Sequence, residues 1–163
     1  MAKKNAPATP AIRQLRENGA RHRPLVYDYV DNGGARHAAE TLGVDPHQVV
    51  KTLVFEADGK SPLIVLMHGD LEVSTKRLAR LLGVKRIAPC DRKTAEKLTG
   101  YQVGGISPFG MRSRLPVYVE SSVLEMEDIY INGGKRGLLV EIPPSLLVTL
   151  LDAVSVSVAA AAE

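Results

Sequence analysis

The segment that most constrains the fold is a hairpin pattern in the first half of the chain. An apolar and β-branched run, Val49 to Ala57, leads into the turn sequence Asp58-Gly59-Lys60-Ser61, and Leu63 to Met67 form a second apolar run. An Asp-Gly pair between two such runs is typical of a tight connection between antiparallel strands. At least one antiparallel pair is therefore expected, which disfavours a regular parallel sheet.

The remaining pattern alternates irregularly between strands and helices. Further strands are predicted at Leu25 to Val30, Lys85 to Ala88, Val117 to Glu120, Ile129 to Ile131 and Leu138 to Ile142. Helices are predicted at Ala11 to Asn18, His37 to Leu42, Ser74 to Leu82, Asp91 to Leu98 and after Pro143-Pro144-Ser145. This order favours a mixed α/β (α+β) fold in one compact domain. A dinucleotide-binding fold is unsupported, because no Gly-x-Gly-x-x-Gly opens a helix after a strand.

Length and composition indicate one globular domain between two tails. A chain of 163 residues can bury a core of its own. Residues 1–10, rich in Ala, Pro and Lys, are predicted to be disordered, 11–158 to form the domain, and 159–163 to be a flexible tail. The sequence contains no apolar run of bilayer length and no secretory signal at its start, and Cys90 is its single cysteine, so a cytoplasmic location without membrane contact is expected.

Two glycine-dense loops are the candidates for ligand binding. The first is Gly104-Gly105-Ile106-Ser107-Pro108-Phe109-Gly110, and the second is Asn132-Gly133-Gly134-Lys135-Arg136-Gly137. Glycine lets main-chain N–H groups approach a carbonyl or phosphate oxygen, and adjacent cations can bind phosphate. The structural alternatives are a tight turn for the first loop and a β-turn with exposed cations for the second. The formal net charge of +3 suits contact with a few phosphates and equally a solvated basic surface.

Lys51 is the candidate for a catalytic side chain. It shares one face of its predicted strand with Leu53 and Phe55, so it is either a partly buried hydrogen-bond donor or a lysine whose stem covers apolar surface. Ser107 is not expected to be a nucleophile, because no Gly-x-Ser-x-Gly elbow surrounds it. The histidines show no metal-ligand spacing, so neither a metal nor a cofactor is expected. They are His22, His37, His47 and His68.

Three segments in order resemble the YbaK/EbsC family of aminoacyl-tRNA editing proteins, which are related to the inserted editing domain of bacterial prolyl-tRNA synthetase. These segments are Val50-Lys51-Thr52-Leu53, Gly100 to Gly110, and Ile131 to Gly137, and the resemblance runs from about Ala11 to Val154. It implies a curved, largely antiparallel central sheet flanked by helices. It also implies a free-standing hydrolase of mischarged tRNA, with Cys-tRNA(Pro) as the typical substrate and prolyl-tRNA synthetase as a partner.

The resemblance also assigns roles to individual residues. The essential lysine falls on Lys51 and a pocket tyrosine on Tyr29. The loop that holds the terminal adenosine and the acyl carbonyl falls on Gly104, Gly105, Ser107, Pro108 and Gly110. The second loop adds Asn132, Gly133 and Gly134 to the substrate site and Lys135 and Arg136 as contacts to tRNA phosphates.

The chain departs from the family pattern in a way that concerns specificity. Asn132 stands where relatives often carry serine, Leu139 stands where some carry aspartate, and the segment 31–40 is shorter. Three alternatives to a Cys-tRNA(Pro) deacylase stay open at this point: an Ala-tRNA(Pro) deacylase, a non-catalytic module that binds tRNA or a synthetase, and a hydrolase of a smaller activated ester or thioester.

Overall fold

The predicted hairpin forms the centre of the structure. In the computed structural model, which describes residues 7–161, it consists of β2 (Val49–Ala57) and β3 (Ser61–His68). The two strands pair antiparallel from Val50↔His68 to Ala57↔Ser61. The positive φ of Asp58 (53°) and Gly59 (70°) closes the turn between them, as the Asp-Gly pair predicts.

Eight further strands and five helices complete the described part of the chain. The strands are β1 (Arg23–Val26), β4 (Leu71–Val73), β5 (Ile87–Pro89), β6 (Val117–Glu120), β7 (Ile129–Asn132), β8 (Leu138–Ile142), β9 (Val154–Val156) and β10 (Ala159–Ala161). The helices are α1 (Pro10–Glu17), α2 (Gly34–Leu42), α3 (Thr75–Leu82), α4 (Arg92–Thr99) and α5 (Ser145–Leu151), with 3-10 turns at Pro46–Gln48 and Ser121–Glu125.

The main sheet is mixed. Its strand order is β1-β8-β7-β2-β3-β6-β9, and β5 pairs with the far end of β2. The pairs β1–β8, β7–β8, β2–β3 and β2–β5 are antiparallel, whereas β2–β7, β3–β6 and β6–β9 are parallel. The predicted mixed fold with a mostly antiparallel sheet is therefore confirmed.

Helices cover both faces of the sheet. On one face α1, α4 and α5 pack Ile12, Leu15, Ala95 and Leu147 against strand residues of β2, β3, β6, β7 and β8. On the other face Leu78 of α3 packs against β2 and β3, and α2 packs against the β7–β8 side. None of the described helices is long and apolar enough to span a membrane.

Two strand boundaries differ from the sequence prediction. β1 ends at Val26 rather than Val30, since the chain beyond Tyr27 leaves β8 and turns toward α2. β5 begins at Ile87 rather than Lys85, because the amides of Lys85 and Arg86 both donate to the Asp58 carboxylate, at 3.0 and 2.9 Å, instead of to a neighbouring strand.

Both tails are more ordered than predicted within the described residues. The predicted flexible tail 159–163 begins with a strand: Ala159 to Ala161 pair with β4. The preceding residue explains this, because Val158 is fully buried, its N–H donates to the buried Glu120 carboxylate at 2.7 Å, and its carbonyl accepts from Ser74 at 2.7 Å. Residues 1–6 and 162–163 of the predicted tails lie outside the described residues.

At the other end α1 begins inside the predicted tail, at Pro10, and Thr9 is its N-cap. The Thr9 hydroxyl accepts from the Ile12 amide at 3.0 Å and donates to the Gly133 carbonyl at 2.5 Å. This one side chain therefore both caps a helix and ties it to the β7–β8 turn.

We predict that Thr9→Ala lowers the free energy of unfolding by about 2 kcal/mol, since it removes the cap and leaves the buried Gly133 carbonyl without its partner. Thr9→Ser is the matched control, because it keeps the hydroxyl and should lose well under half as much. Urea denaturation measures both, through midpoints at unchanged slope. An equal loss in the two variants would assign the effect to the methyl group instead.

Candidate functional site

The candidate site lies where the outer edge of β2 is left uncovered. β3 pairs with the whole inner edge of β2, whereas the outer edge is paired by β7 at Val49 and Val50 and by β5 from Phe55 to Ala57. A cavity of about 420 Å³ opens at the stretch between them, and residues 49–54 all line it. This volume is within the usual range for small-molecule sites.

Lys51 lies at this cavity. Its side chain is only 21% exposed, and its Nζ donates to the Leu71 carbonyl at 2.5 Å and lies 3.7 Å from Glu72 Oε2. The stem is thus partly buried, in line with the shared face predicted with Leu53 and Phe55. The ammonium is positioned at the start of β4 by two protein oxygens, so its position is set by the fold.

Gly104 brings the first glycine loop to the same cavity. It has φ of +93°, and a Cβ there would lie 2.4 Å from the Tyr29 hydroxyl oxygen, so only glycine fits against that tyrosine. The amide of Gly105 donates to the Gln102 carbonyl at 2.8 Å. The amides of Gly104 and Ile106, both cavity-lining residues, have no acceptor among residues 7–161.

The other end of this loop faces away from the cavity. Ser107 is fully buried, and its Oγ accepts from the Phe109 amide at 3.2 Å. Phe109 is also buried, and its carbonyl accepts from the Tyr101 hydroxyl at 2.6 Å. Pro108 and Gly110 line a second cavity, of about 460 Å³, beside α1. Ser107, Pro108 and Gly110 therefore shape and anchor the loop, whereas the sequence placed them in the substrate site.

Asn132 joins the two glycine loops. Its Nδ2 donates to the Gly104 carbonyl at 3.1 Å, and its Oδ1 accepts from the amides of Gly134 at 2.7 Å and Lys135 at 3.2 Å. Asn132 itself lines the cavity, whereas Gly133 and Gly134 do not. Those two glycines form the turn, with Gly134 packed closely on Tyr101.

The predicted phosphate contacts differ in their surroundings. Lys135 is exposed. The guanidinium of Arg136 lies 5.2 Å from the centre of the Tyr29 ring, and its Nε donates to the Val103 carbonyl at 3.0 Å. Arg136 therefore also positions cavity-lining residues, since Tyr29 and Val103 both belong to the cavity wall.

Several cavity residues had not been singled out as site residues from the sequence. They are Tyr27, Val30, His37, Val49, Cys90 and Leu139, among others. They are scattered along the sequence over α2, β2, β8 and the loops that follow β1 and β5, so no local spacing could have connected them. Thr52, next to Lys51, also lines the cavity, and its buried hydroxyl has no partner among the described residues.

Cys90 is a cavity thiol of low reactivity. Burial raises its pKa, as does the negative charge of Glu56, whose Oε2 lies 3.8 Å from Sγ, so that the pKa reaches about 11. The start of α4, two residues on, does not offset these effects. The thiol is therefore protonated near neutral pH and is not an activated nucleophile.

A cluster of titratable groups lies at the start of β2, outside the set predicted from sequence. His47, His68 and Asp70 bring ligand atoms within 4.8 Å of one another. The two imidazole rings are stacked, with centres 3.7 Å apart, and both nitrogens of His68 are engaged, by the His47 carbonyl and the Ser122 hydroxyl, at 2.7 Å each. This hydrogen bonding fixes the loop that leads into β2.

Comparisons with known proteins show the family to which the chain is related. The family model for the aminoacyl-tRNA editing domain matches residues 33–150. EbsC of Enterococcus faecalis, a proposed Cys-tRNA(Pro)/Cys-tRNA(Cys) deacylase, is 30% identical over 151 residues, which is 92% of each chain. A proline–tRNA ligase of Desulfotalea psychrophila is 37% identical over 95 residues, which is 58% of this chain and 16% of the ligase.

Two solved structures share the fold. The hypothetical protein APE2540 is 26% identical with a TM-score of 0.84, covering 93% of this chain and 99% of that one. A proposed trans-editing enzyme for prolyl tRNA synthetase has a TM-score of 0.79 at 24% identity, covering 94% and 98% of the two chains.

We predict that iodoacetamide alkylates Cys90 at pH 8 about tenfold more slowly than it alkylates a free cysteine, because the raised pKa leaves little thiolate. The greater nucleophilicity of a thiolate of high pKa offsets part of this decrease in rate. Since the pKa is raised, the rate should keep increasing as the pH approaches 11. Glu56→Gln should lower the pKa and speed alkylation, whereas Glu125→Gln, at an exposed site, should not. Reaction of wild-type Cys90 at the free-cysteine rate would contradict the protonated state.

Proposed function

The chain belongs to the aminoacyl-tRNA editing domain family, and we propose that it is a free-standing deacylase that removes cysteine from Cys-tRNA(Pro). It is an editing hydrolase, which cleaves the ester between an amino acid and tRNA. The observation that carries the proposal is the single cavity lined by both Lys51 and the Gly104 end of the glycine loop. The match to EbsC over most of both chains supports the cysteine assignment.

Free amides beside the cavity supply the electrostatic part of the mechanism. Ester hydrolysis builds negative charge on the carbonyl oxygen, and preorganised N–H donors stabilise it. We assign this role to the amides of Gly104 and Ile106, because the amide of Gly105 is already bonded to Gln102. Asn132 holds the Gly104 carbonyl and so fixes the orientation of the neighbouring peptides.

Lys51 positions the ester. Its ammonium, held by the Leu71 carbonyl close to Glu72, would bind oxygens of the terminal ribose or the acyl group. A cation fixed there also disfavours a misplaced amino group of the substrate, since the two positive charges repel in a partly desolvated site.

The nucleophile is assigned to the substrate or to water. Ser107 is buried away from the cavity, and Cys90 is protonated near neutral pH. With a cysteinyl substrate, the substrate's own thiol would attack the carbonyl carbon of the ester, and the ribose oxygen would leave with the thiol proton as free tRNA. Water would then open the resulting cyclic thioester to give cysteine. With other amino acids, water has to attack, and the same amides would stabilise the oxyanion.

We further propose mischarged tRNA as the macromolecular partner, with prolyl-tRNA synthetase acting alongside in the cytoplasm. Exposed Lys135 would contact a phosphate of the tRNA.

Discrimination of cysteine from alanine is the finest part of the proposal, because a small difference in an apolar pocket is worth only about 1–3 kcal/mol. A panel of mischarged tRNAs tests it: preferential deacylation of Ala-tRNA(Pro) would replace the cysteine assignment, and binding of the panel without deacylation would indicate a non-catalytic module.

Lys51→Met should lower the deacylation rate at least about 10²-fold, because it retains the apolar stem and removes the charge that positions the ester. Circular dichroism and urea denaturation should show a retained fold. Lys60→Met, in the exposed β2–β3 turn, is the matched control and should keep the wild-type rate. A wild-type rate in Lys51→Met would remove Lys51 from the mechanism.

Lys135→Ala and Arg136→Ala should have different effects. Loss of the exposed Lys135 should weaken tRNA binding and reduce the magnitude of the salt-dependence slope by about one. Loss of Arg136 should also lower the deacylation rate, because Tyr29 and Val103 lose their contact. Filter binding across a salt series and single-turnover kinetics separate the two, and an unchanged slope in Lys135→Ala would exclude a phosphate contact there.

A further inference from the structure

We propose that the main-chain N–H and C=O of Thr52 recognise the adenine base of the terminal nucleotide of tRNA. The base would occupy the place of a neighbouring strand at the open edge of β2. This assignment of a base subsite rests on the proposed function. Nothing in it depends on the side chain of Thr52; it depends on where the peptide groups of that residue point.

The hydrogen bonds around β2 fix the direction of its peptide groups. The Val54 carbonyl accepts from the Cys90 amide at 3.0 Å, on the outer edge. Its partner across the hairpin, Ile64, donates its N–H to Pro116 at 2.8 Å and so also faces away from β2. Val54↔Ile64 is therefore a non-hydrogen-bonded pair of the antiparallel ladder.

The alternation of hydrogen-bonded and non-hydrogen-bonded pairs along the β2–β3 ladder then determines where the N–H and C=O of Thr52 point. Two residues before Val54, Thr52↔Leu66 is again a non-hydrogen-bonded pair, so both the N–H and the C=O of Thr52 point to the outer edge. β7 pairing stops at Val50 and β5 pairing starts at Phe55, so no described strand faces these two groups. They form a donor and an acceptor side by side in the cavity wall.

The opening is too short for a peptide strand. From Val50 to Val54 it extends about 13 Å along β2, less than a strand of usual length. Asn132 closes one end and Cys90 the other, and both line the cavity. A single planar group therefore fits where a strand does not.

Adenine matches this donor–acceptor pair. Its amino group donates and an adjacent ring nitrogen accepts, the same pattern that a side-chain amide recognises in a bidentate contact. Guanine does not match in the same placement, because its N7 and O6 are both acceptors and its O6 and N1–H present acceptor and donor in the reverse order. Either edge would place an oxygen against the Thr52 carbonyl. Tyr27, Tyr29 and His37 line the same cavity and provide aromatic surface for the faces of the base.

The first experiment observes the peptide group itself. Adenosine 5′-monophosphate and guanosine 5′-monophosphate are titrated into ¹⁵N-labelled protein. The Thr52 amide resonance should shift with the adenosine nucleotide and not with the guanosine nucleotide. The Leu53 amide, which faces β3, is the internal control and should shift less. An unmoved Thr52 amide, or equal shifts with both nucleotides, would overturn the proposal.

The second experiment changes the base. RNA minihelices end in adenosine, purine riboside, 1-deazaadenosine, 7-deazaadenosine or 3-deazaadenosine, and their affinity is measured uncharged. Purine riboside, which lacks the amino group, should bind about tenfold more weakly, as should the deaza analogue whose missing nitrogen is the acceptor. The 3-deaza analogue should bind within about twofold of adenosine.

The outcomes separate this proposal from the proposed function. If purine riboside binds as tightly as adenosine, the base subsite is wrong, whatever the activity. If mischarged tRNA is not deacylated while the analogue series follows the expected order, the base subsite holds and the hydrolytic assignment fails.

Discussion

Strand β2 has to pair with two strands on one edge, and those two run in opposite directions. β7 runs parallel to β2 and pairs with Val49 and Val50, whereas β5 runs antiparallel to β2 and pairs with Phe55 to Ala57. Between these two pairings the outer edge of β2 has no neighbouring strand. Unpaired peptide groups inside a protein cost free energy unless water or a ligand binds them. The interruption therefore produces a site with hydrogen-bonding capacity in its wall, and the positions of Lys51, Asn132 and Cys90 follow from it.

The glycine loop, which forms a second wall of the cavity, is held in place by contacts outside the cavity. Phe109 and Ser107 are buried in the core, and Tyr101 bonds to the Phe109 carbonyl. This fixes one end of the glycine loop, while Asn132 holds the other end at Gly104. A loop held at both ends presents its amides without reorganisation, which is what electrostatic stabilisation of an oxyanion requires.

The sequence predicted the local features well, because local chemistry determines them. The Asp58-Gly59 turn forms as expected, and the predicted helices α3 and α4 form close to their predicted bounds. Ser74 and Asp91 are their N-caps, and Gly83 and Gly100 end them in the left-handed conformation. The short strands β4, β9 and β10 were not predicted, since three residues carry little periodicity and their partners are distant in sequence.

The sequence identified some of the residues that line the cavity, but it did not show which residues of the glycine loop face the cavity. Lys51, Tyr29, Gly104 and Asn132 do line one cavity, whereas Ser107, Pro108 and Gly110 belong to the same motif and lie elsewhere. A motif shows that residues are needed together but not which way each one faces. That direction depends on the burial of Phe109, a tertiary contact that no spacing within the loop reveals.

The same constraint is compatible with the proposed mechanism, in which the protein supplies no nucleophile. A thiol at the edge of β2 is desolvated by the sheet and lies close to Glu56, so it stays protonated. Main-chain amides and the ammonium of Lys51, which is held by the Leu71 carbonyl, act as hydrogen-bond donors and need no proton transfer of their own. An aminoacyl ester is already activated, so positioning and oxyanion stabilisation can supply much of the required catalysis. In the proposed mechanism, Lys51 on the interrupted edge of β2 positions the ester and the glycine loop beside it stabilises the oxyanion, so a dedicated protein nucleophile is not required.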